Sequence, residues 1–351
     1  MRLPAPRRHP ALQPEQLSEL TQKAVDELMR EGESQHTVAS YRAALRYWAA
    51  WYGLRYGQAI TLPLPSACVL QFVVDHAQRQ TAQGLVHELP AEFDTLLVKG
   101  GYKGKSGPLA ITTVLHRVAV LSKAHQLRNL RNPCHDPKVK DLLAHTRRAY
   151  AKRGDLPQKK AALTRDPLHA LLATCDESLR GKRDRALLLF AWASGGRRRS
   201  EVAGAVVEQL QRLGAGEFSY NLAYSKNNQY GNDRPENHKP VHGPAGAALE
   251  AWLQASGIRS GPIFRRVLRG GHLGPQLSAA AVRDIVRRHC LLADISGDYS
   301  AHSLRSGFVT EAGRQQVPLG ETMALTGHRS AVMALSYYRA GGTESTGPQL
   351  L

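Results

Sequence analysis

Apolar residues recur at three- and four-residue steps through the first 150 positions. Leu17, Leu20, Ala24 and Leu28 form one series, and Val38, Tyr41, Leu45, Trp48 and Tyr52 a second. Such spacing gathers apolar side chains on one face of an α-helix. Ser66 is placed to cap a third helix carrying Val69, Phe72, Val73 and His76. Thr112 or Thr113 opens a fourth, with Leu115, Val118 and Leu121 facing inward. Asp136-Pro137, an N-cap residue before proline at the first helical position, starts a short fifth. Between the third and fourth lies GLVHELPAEFDTLLVKGGYKGKSGPLA, residues 84–110. It is long for a helix connection, so it reads as an insertion with its own function or as a mobile loop.

The second half carries a different pattern. Asp166-Pro167 begins a helix, and GKRDRALLLFAWASGG reads as a buried helix that stops at glycines. EFSYNLAYSKNNQ alternates as a strand entering a turn, and NHKPVHG holds a strand to pair back on it. GPAGAALEAWLQASG and SAAAVRDIVRRHCLLAD are amphipathic helices, the second capped by Ser278, and the last hundred residues read as helical with short turns. The expected fold is therefore a mainly α N-terminal domain followed by a mostly helical α+β domain.

Composition narrows the partners. The 351 residues carry 47 Lys plus Arg against 29 Asp plus Glu, a formal charge of +18, with an isoelectric point near 10.0. A field of that sign favours a polyanion, because each neutralised phosphate releases condensed counterions. No helix pairs a Lys/Arg-rich face with a strongly apolar one, and no apolar run approaches the length of a membrane span. MRLPAPRRHP has basic residues with no apolar segment behind them, so it reads as a disordered arm rather than a signal peptide. Cys68, Cys134, Cys175 and Cys290 are scattered without CxxC or zinc-ligand spacing, as expected of reduced thiols in a cytoplasmic or nucleoid protein.

The basic residues are unevenly placed. From Lys138 to Arg165, nine positions are Lys or Arg, against Asp141 and Asp155 alone. KRGDLPQKKAALT within that stretch has the composition of an inter-domain linker, which places a basic linker between domains 1–153 and 154–351. Candidate DNA contacts are Arg42, Arg46 and Lys123 on outward helix faces, then Arg147, Arg148, Lys152, Arg153, Lys159 and Lys160 around the linker. Arg55, Arg128 and Arg131 are further outward-face candidates. The plainer reading of any single one is a solvated charge.

Four segments hold residues suited to phosphodiester transfer, which needs a nucleophile, donors around the non-bridging oxygens and an acid for the leaving oxygen. In SGGRRRSEVAG, Gly196-x-Arg198-x-Ser200-Glu201 stands at a helix start after a glycine turn, where an arginine fork suits a phosphate. Lys226 lies at the tip of the expected hairpin, with Lys239 as its rival on the returning strand. His302 and Arg305 in AHSLRSG are three apart, hence on one helical face. His328 is followed nine positions later by Tyr337 in TGHRSAVMALSYYRAGG, and Tyr338 adjoins it. No cluster of carboxylates suggests a two-metal nuclease, and no metal or cofactor is expected.

Taken singly, these signals also fit a helix cap, a surface pair and a structural turn. Their order — Arg, hairpin Lys, HxxR, Gly-His, then Tyr near the C-terminus — resembles the tyrosine recombinase (phage integrase) family, and its Cre branch in particular. The resemblance covers nearly the whole chain and is strongest from Tyr299 to Gly347. It implies that Arg198 and Arg305 bind the scissile phosphate and that Glu201 orients the first arginine. His302 would act as acid/base near the nucleophile, and His328 would donate to a non-bridging oxygen. Lys226, which directly follows the expected strand as the family motif does, would protonate the departing 5′ oxygen, and Tyr337 would attack to form a 3′-phosphotyrosine. It further implies a C-shaped clamp on double-stranded DNA with an inverted-repeat site, a homotetramer and a Holliday-junction intermediate. Cre itself has tryptophan where this chain has His328; histidine is the commoner family choice. The tail, YYRAGGTESTG, looks like the Cre-type extension after the nucleophile, which implies that TESTGPQLL packs on a neighbouring protomer; the plainer reading is a frayed terminus. A type IB topoisomerase, a telomere resolvase and a DNA-binding module without catalysis are the competing classes.

Overall fold

The computed structural model describes residues 35–155, 160–223, 228, 232 and 234–338. The Leu17–Leu28 series, Lys159, Lys226 and the tail from residue 339 lie outside the described residues. Contacts divide the chain into two compact units, Met1–Pro157 and Gln158–Leu351.

In the first unit, the described helices are α1 (Gln35–Tyr56), α2 (Ser66–His76), α3 (Ala91–Lys99), α4 (Ile111–Leu127) and α5 (Pro137–Lys152), with a small antiparallel hairpin of β1 (Arg79–Thr81) and β2 (Gly84–Val86). The apolar stripe of α1 keeps Trp48 and Tyr52 of the expected series, leaves Val38 and Tyr41 half-buried, and departs from it at Leu45. Ala44, Tyr47, Trp48, Trp51 and Tyr52 are buried, while Leu45 is exposed. Aromatic packing sets that register: Trp48 stacks on Phe72 of α2 with ring centroids 3.8 Å apart, and Trp51 meets Phe72 edge-on at 5.1 Å. Rings of this size bury a large apolar area and fix the face that turns inward. On α4, likewise, Val114, Val118 and Leu121 are buried and Leu115 is only half-buried.

Polar groups inside this core are partnered. The Nδ1–H of His76 donates to the carbonyl of Phe72 (2.6 Å), so Nε2 of the neutral ring accepts from the Tyr47 hydroxyl (2.7 Å). Burial pushes the His76 pKa down to about 3, so that neutral form persists. Arg55, expected on an outward face, instead donates to buried Asp75 at 2.7 Å, and Trp51 Nε1 donates to the same carboxylate at 2.8 Å. Arg55 is therefore a structural ion pair.

The long 84–110 stretch is ordered rather than an open loop. It completes the hairpin and forms α3, whose Asp94 receives the ammonium of Lys103 and the backbone N–H of Gly107 (2.7 Å). A buried Asp–Lys pair with both oxygens occupied folds the glycine-rich end back onto α3. Helix α5 is longer than expected, running through Arg147 and Arg148 to Lys152, capped by Asp136.

The second unit contains α6 (Arg165–Ala173), α7 (Leu179–Ala193), α8 (Arg199–Ala203), α9 (Pro244–Ser256), α10 (Ala279–Leu292), α11 (Ala301–Arg314), α12 (Leu319–Thr326) and α13 (Ala331–Tyr338). Strands β3 (Leu210–Gly214), β4 (Glu217–Asn221) and β5 (His238–Val241) form one antiparallel sheet in that order, with Tyr220 opposite Lys239. The hairpin of β6 (Arg265–Val267) and β7 (Leu273–Gln276) interrupts the region expected to be helical; glycines at 270 and 271 with positive φ turn it. Leu187, Phe190, Phe264, Leu249 and Trp252 are among the buried side chains of the core. Chain entering the unit is fixed by Leu163 N–H donating to the Ser303 carbonyl (2.9 Å), which seats it on the first turn of α11.

A buried ion network ties α7 to α10. Asp184, fully buried, accepts from Arg183 Nε (2.8 Å) and Nη2 (2.6 Å), from Arg288 and from His289 Nε2 (3.1 Å). Burial alone would raise the Asp184 carboxyl pKa; the His289 hydrogen bond and the two guanidiniums outweigh it and hold the pKa below the usual range. Removing one partner strands a buried charge. Asp184→Ala should therefore cost about 3–5 kcal/mol in urea unfolding followed by circular dichroism. A loss below about 1 kcal/mol would place the network's contribution at the level of an exposed pair.

Candidate active site

The candidate site is built where a glycine turn, the first turn of α11 and the C-terminal end of α12 meet. Gly195 and Gly196 have φ of +92° and +65°. A Cβ on Gly196 would lie 2.4 Å from the Cα of Arg305, and one on Gly195 would lie 2.4 Å from the carbonyl oxygen of Leu325. Glycine is required at both for conformation and for approach. The turn thereby lays Arg197 and Arg198 against α11 and α12.

Arg198 caps α8. Its backbone N–H donates to Glu201 Oε2 (3.1 Å) and its Nη1 to Oε1 (2.7 Å). Glu201 is buried and lies 3.7 Å from Arg197 as well. Burial works to raise its pKa, but the charges of Arg197 and Arg198 and the bonds from Arg198 dominate, so it stays ionised.

Helix α11 begins at a Ser300 cap and projects His302 and Arg305 from its first turns. Arg305 is 3% exposed, and its Nη1 donates to the Gly196 carbonyl at 3.3 Å. Its Nη2 is buried without a hydrogen-bond partner. Burial first, then the charges of Arg198 and Arg197, lower its pKa to about 9. A cleft of about 350 Å³ lies beside it, lined by Arg198, Arg283, Ser300 and His302 among others. The His302 ring keeps an exposed edge; partial desolvation, then Arg305 and Arg198, hold its pKa below the ordinary value.

His328 follows Gly327, whose φ of +69° ends α12. Its Nδ1 is 2.7 Å from the Thr326 hydroxyl, which also lies 2.8 Å from the Thr322 carbonyl. Desolvation, then Arg305 and Arg198, drive its pKa down to about 4. Tyr337 stands on α13 with its ring centroid 6.4 Å from that of His302. The adjacent Tyr338 is committed elsewhere: its hydroxyl donates to the Val317 carbonyl at 2.5 Å. Neighbouring helical positions differ in direction by about 100°, and here only Tyr337 is set against His302.

Thus Arg198, Glu201, His302, Arg305, His328 and Tyr337 come together, while Lys226 lies outside the described residues. Lys239, on β5, is 3% exposed and lines the same cleft as Arg198 and His328. Its ammonium donates to the carbonyls of Glu236 and Ala324 (2.8 Å). Arg197 is a functional candidate that sequence reading passed over. In the run Arg197-Arg198-Arg199 nothing but burial separates the three: Arg197 is 2% exposed and Arg199 is exposed.

The candidate DNA contacts belong to other surfaces. Arg42, Arg46, Lys123, Arg147, Arg148 and Lys152 are exposed. Arg153 is engaged within the first unit, over the Tyr150 ring at 4.4 Å and donating to the Gln78 carbonyl (3.3 Å). Lys160 pairs with Asp298 in the second unit. Among the described residues no group of three or more His, Cys, Asp or Glu could hold a metal, and no helix is long and apolar enough to cross a membrane.

Residues 161–343 match the phage integrase family. An integrase/recombinase xerD homolog of Selenomonas ruminantium is 30% identical over 267 residues, covering 73% of this chain and 76% of that protein. The chain therefore belongs to the phage integrase family, the tyrosine site-specific recombinases. In fold it is similar to lambda integrase (residues 75–356) bound as a dimer to a COC′ core site, with a TM-score of 0.54 at 16% identity over 94% of this chain and 98% of that one. It is also similar to the XerH site-specific recombinase bound to palindromic difH (TM-score 0.52, 15% identity, 92% and 81% covered).

The His328 value sets a pH dependence. An imidazole in the unfolded chain takes up its proton near pH 6.5, whereas the folded one resists protonation to about pH 4. Between these values the unfolded state binds the extra proton, so this contribution is complete above about pH 6.5 and is lost as pH falls toward 4. His328→Gln should lose less stability than the wild type between pH 7 and pH 5 in urea titrations. Equal losses would mean that the ring is not held neutral.

Proposed function

We propose that the chain is a site-specific recombinase that cuts and rejoins duplex DNA through a 3′-phosphotyrosine on Tyr337. One observation carries the reading. A buried arginine, Arg305, keeps an N–H without a partner beside a cleft that also presents Arg198 and His302. A buried donor left unpaired is costly, and an oxygen of a phosphodiester meets that donor and the crowded positive charge together.

In this reading Arg198 and Arg305 hold the scissile phosphate and stabilise the charge of its pentavalent transition state, with Glu201 fixing the Arg198 fork. His302 takes the phenolic proton of Tyr337; its lowered pKa keeps the ring unprotonated and so able to accept. His328 is the donor to a non-bridging oxygen, its ring oriented at Nδ1 by the Thr326 hydroxyl, whose own proton goes to the Thr322 carbonyl. Lys226 gives the departing 5′ oxygen its proton. The phosphotyrosine conserves the bond energy, so a free 5′-hydroxyl reverses the step without a nucleotide cofactor or metal.

The excess positive charge and the exposed arginines and lysines of α1, α4 and α5 support contacts with the phosphates of duplex DNA. The target is an inverted repeat, and four protomers join two sites and exchange strands through a Holliday junction, in the cytoplasm at the nucleoid. The xerD homolog and the DNA-bound lambda integrase and XerH structures support this reading.

The test uses a nicked duplex carrying a site that the purified protein selects from random DNA. Wild type and Tyr338→Phe should form a covalent adduct, the latter with a stability loss of about 0.5–1.5 kcal/mol from the lost hydrogen bond. Tyr337→Phe should bind the site with unchanged affinity and form no adduct. An adduct that persists in Tyr337→Phe overturns the assignment.

A further inference from the structure

The end of α12 poses a problem of hydrogen bonding. The last four carbonyls of a helix have no partner within it, and its C-terminal end carries partial negative charge. The Met323 carbonyl is taken by the N–H groups of Gly327 (2.7 Å) and His328 (3.2 Å). The next two are met from other elements. Lys239 on β5 donates to the Ala324 carbonyl (2.8 Å), and Arg197 in the glycine turn donates through Nη2 to the Leu325 carbonyl (2.5 Å). Both cations are almost fully buried. They converge three and four residues before His328, on the turn that aims its ring.

We propose that Arg197 and Lys239 are positioning residues that act through His328, clamping the end of α12 so that the imidazole is delivered to the phosphate held by Arg198 and Arg305. Burying two like charges is unfavourable unless each is well partnered. Their partners here are Glu201, shared with Arg198, and helix-end carbonyls rather than surface acids. Arg197 belongs to the same turn as Arg198, and the close approach of Gly195 to Leu325 and of Gly196 to Arg305 leaves the turn little room to shift. The turn, α11 and the end of α12 therefore move as one piece, and β5 locks it from the sheet. Lys239 has committed two of its three N–H donors to carbonyls, which suits an anchor better than a proton donor.

The inference rests on the role given to His328 above, and a double-mutant cycle separates the two. Single-turnover cleavage is measured on the nicked duplex. Arg197→Met and Lys239→Met should each slow cleavage by about 10-fold or more at unchanged DNA affinity. In a His328→Ala background each should cost less than about 2-fold. Arg197→Lys, which keeps the charge and a donor, should recover most of the rate. A 5′-bridging sulfur, which leaves without protonation, should rescue neither methionine variant. Losses that multiply fully in the His328→Ala background, or sulfur rescue of Lys239→Met, would overturn the proposal.

A second readout needs no activity. The carbon–proton cross-peak of the His328 ring in the DNA-free protein should move in both methionine variants and stay in place in Arg197→Lys. If His328→Ala cleaves at the wild-type rate, the catalytic role of His328 fails, and the cross-peak alone decides whether the clamp holds the ring; a peak unmoved in both variants refutes it. Should a methionine variant fail to fold, Arg197→Gln, which keeps a donor, takes its place and is expected to shift the peak in the same direction.

Discussion

The second unit is organised around confined positive charge. Arg197, Arg198 and Arg305 crowd one region, and Glu201 is the carboxylate that Arg197 and Arg198 share. Burial and mutual repulsion lower Arg305 to about 9 and Arg197 to about 10. Such a site is electrostatically incomplete, and a phosphate is the kind of group that completes it. Holding it together before any anion arrives requires a scaffold that cannot relax, and the surrounding elements meet that requirement.

The two glycines let the turn press on α11 and α12 together; a single Cβ would push it off either one. Ser300 and Ser303 fasten the start of α11. Tyr338 pins α13 through Val317, which leaves Tyr337 as the adjoining phenol on the side of His302. Away from the site, Asp184 ties α7 to α10 with its own arginines. That rigid frame holds the donors of the site in place before an anion arrives.

Spacing along the sequence made part of this legible. His302 and Arg305 share a face because they are three apart on a helix, and Arg198 with Glu201 announces a helix start. The hairpin and the Ser278 cap follow from alternation and local chemistry. What escaped was decided by burial at long range. Arg197 and Arg55 resemble their exposed neighbours until the fold chooses which guanidinium goes inside. Lys239 is unremarkable on a strand until α12 presents its carbonyls. Trp51 joins Trp48 on Phe72 while Leu45 stays outside, and α3 was hidden in a glycine-rich stretch that an Asp94–Lys103 pair folds back.

In the proposed mechanism Arg305 meets the negative charge of a phosphate at this cleft. Replacing the scissile phosphate by a neutral methylphosphonate removes that charge and keeps the reacting centre. On the phosphate, Arg305→Ala should slow single-turnover cleavage by about 10²-fold or more, as loss of a preorganised oxyanion donor does. On the methylphosphonate the same substitution should cost less than about 10-fold, because the transition state carries one negative charge less for the guanidinium to stabilise. An equal penalty on both substrates would mean that Arg305 does not act on that charge.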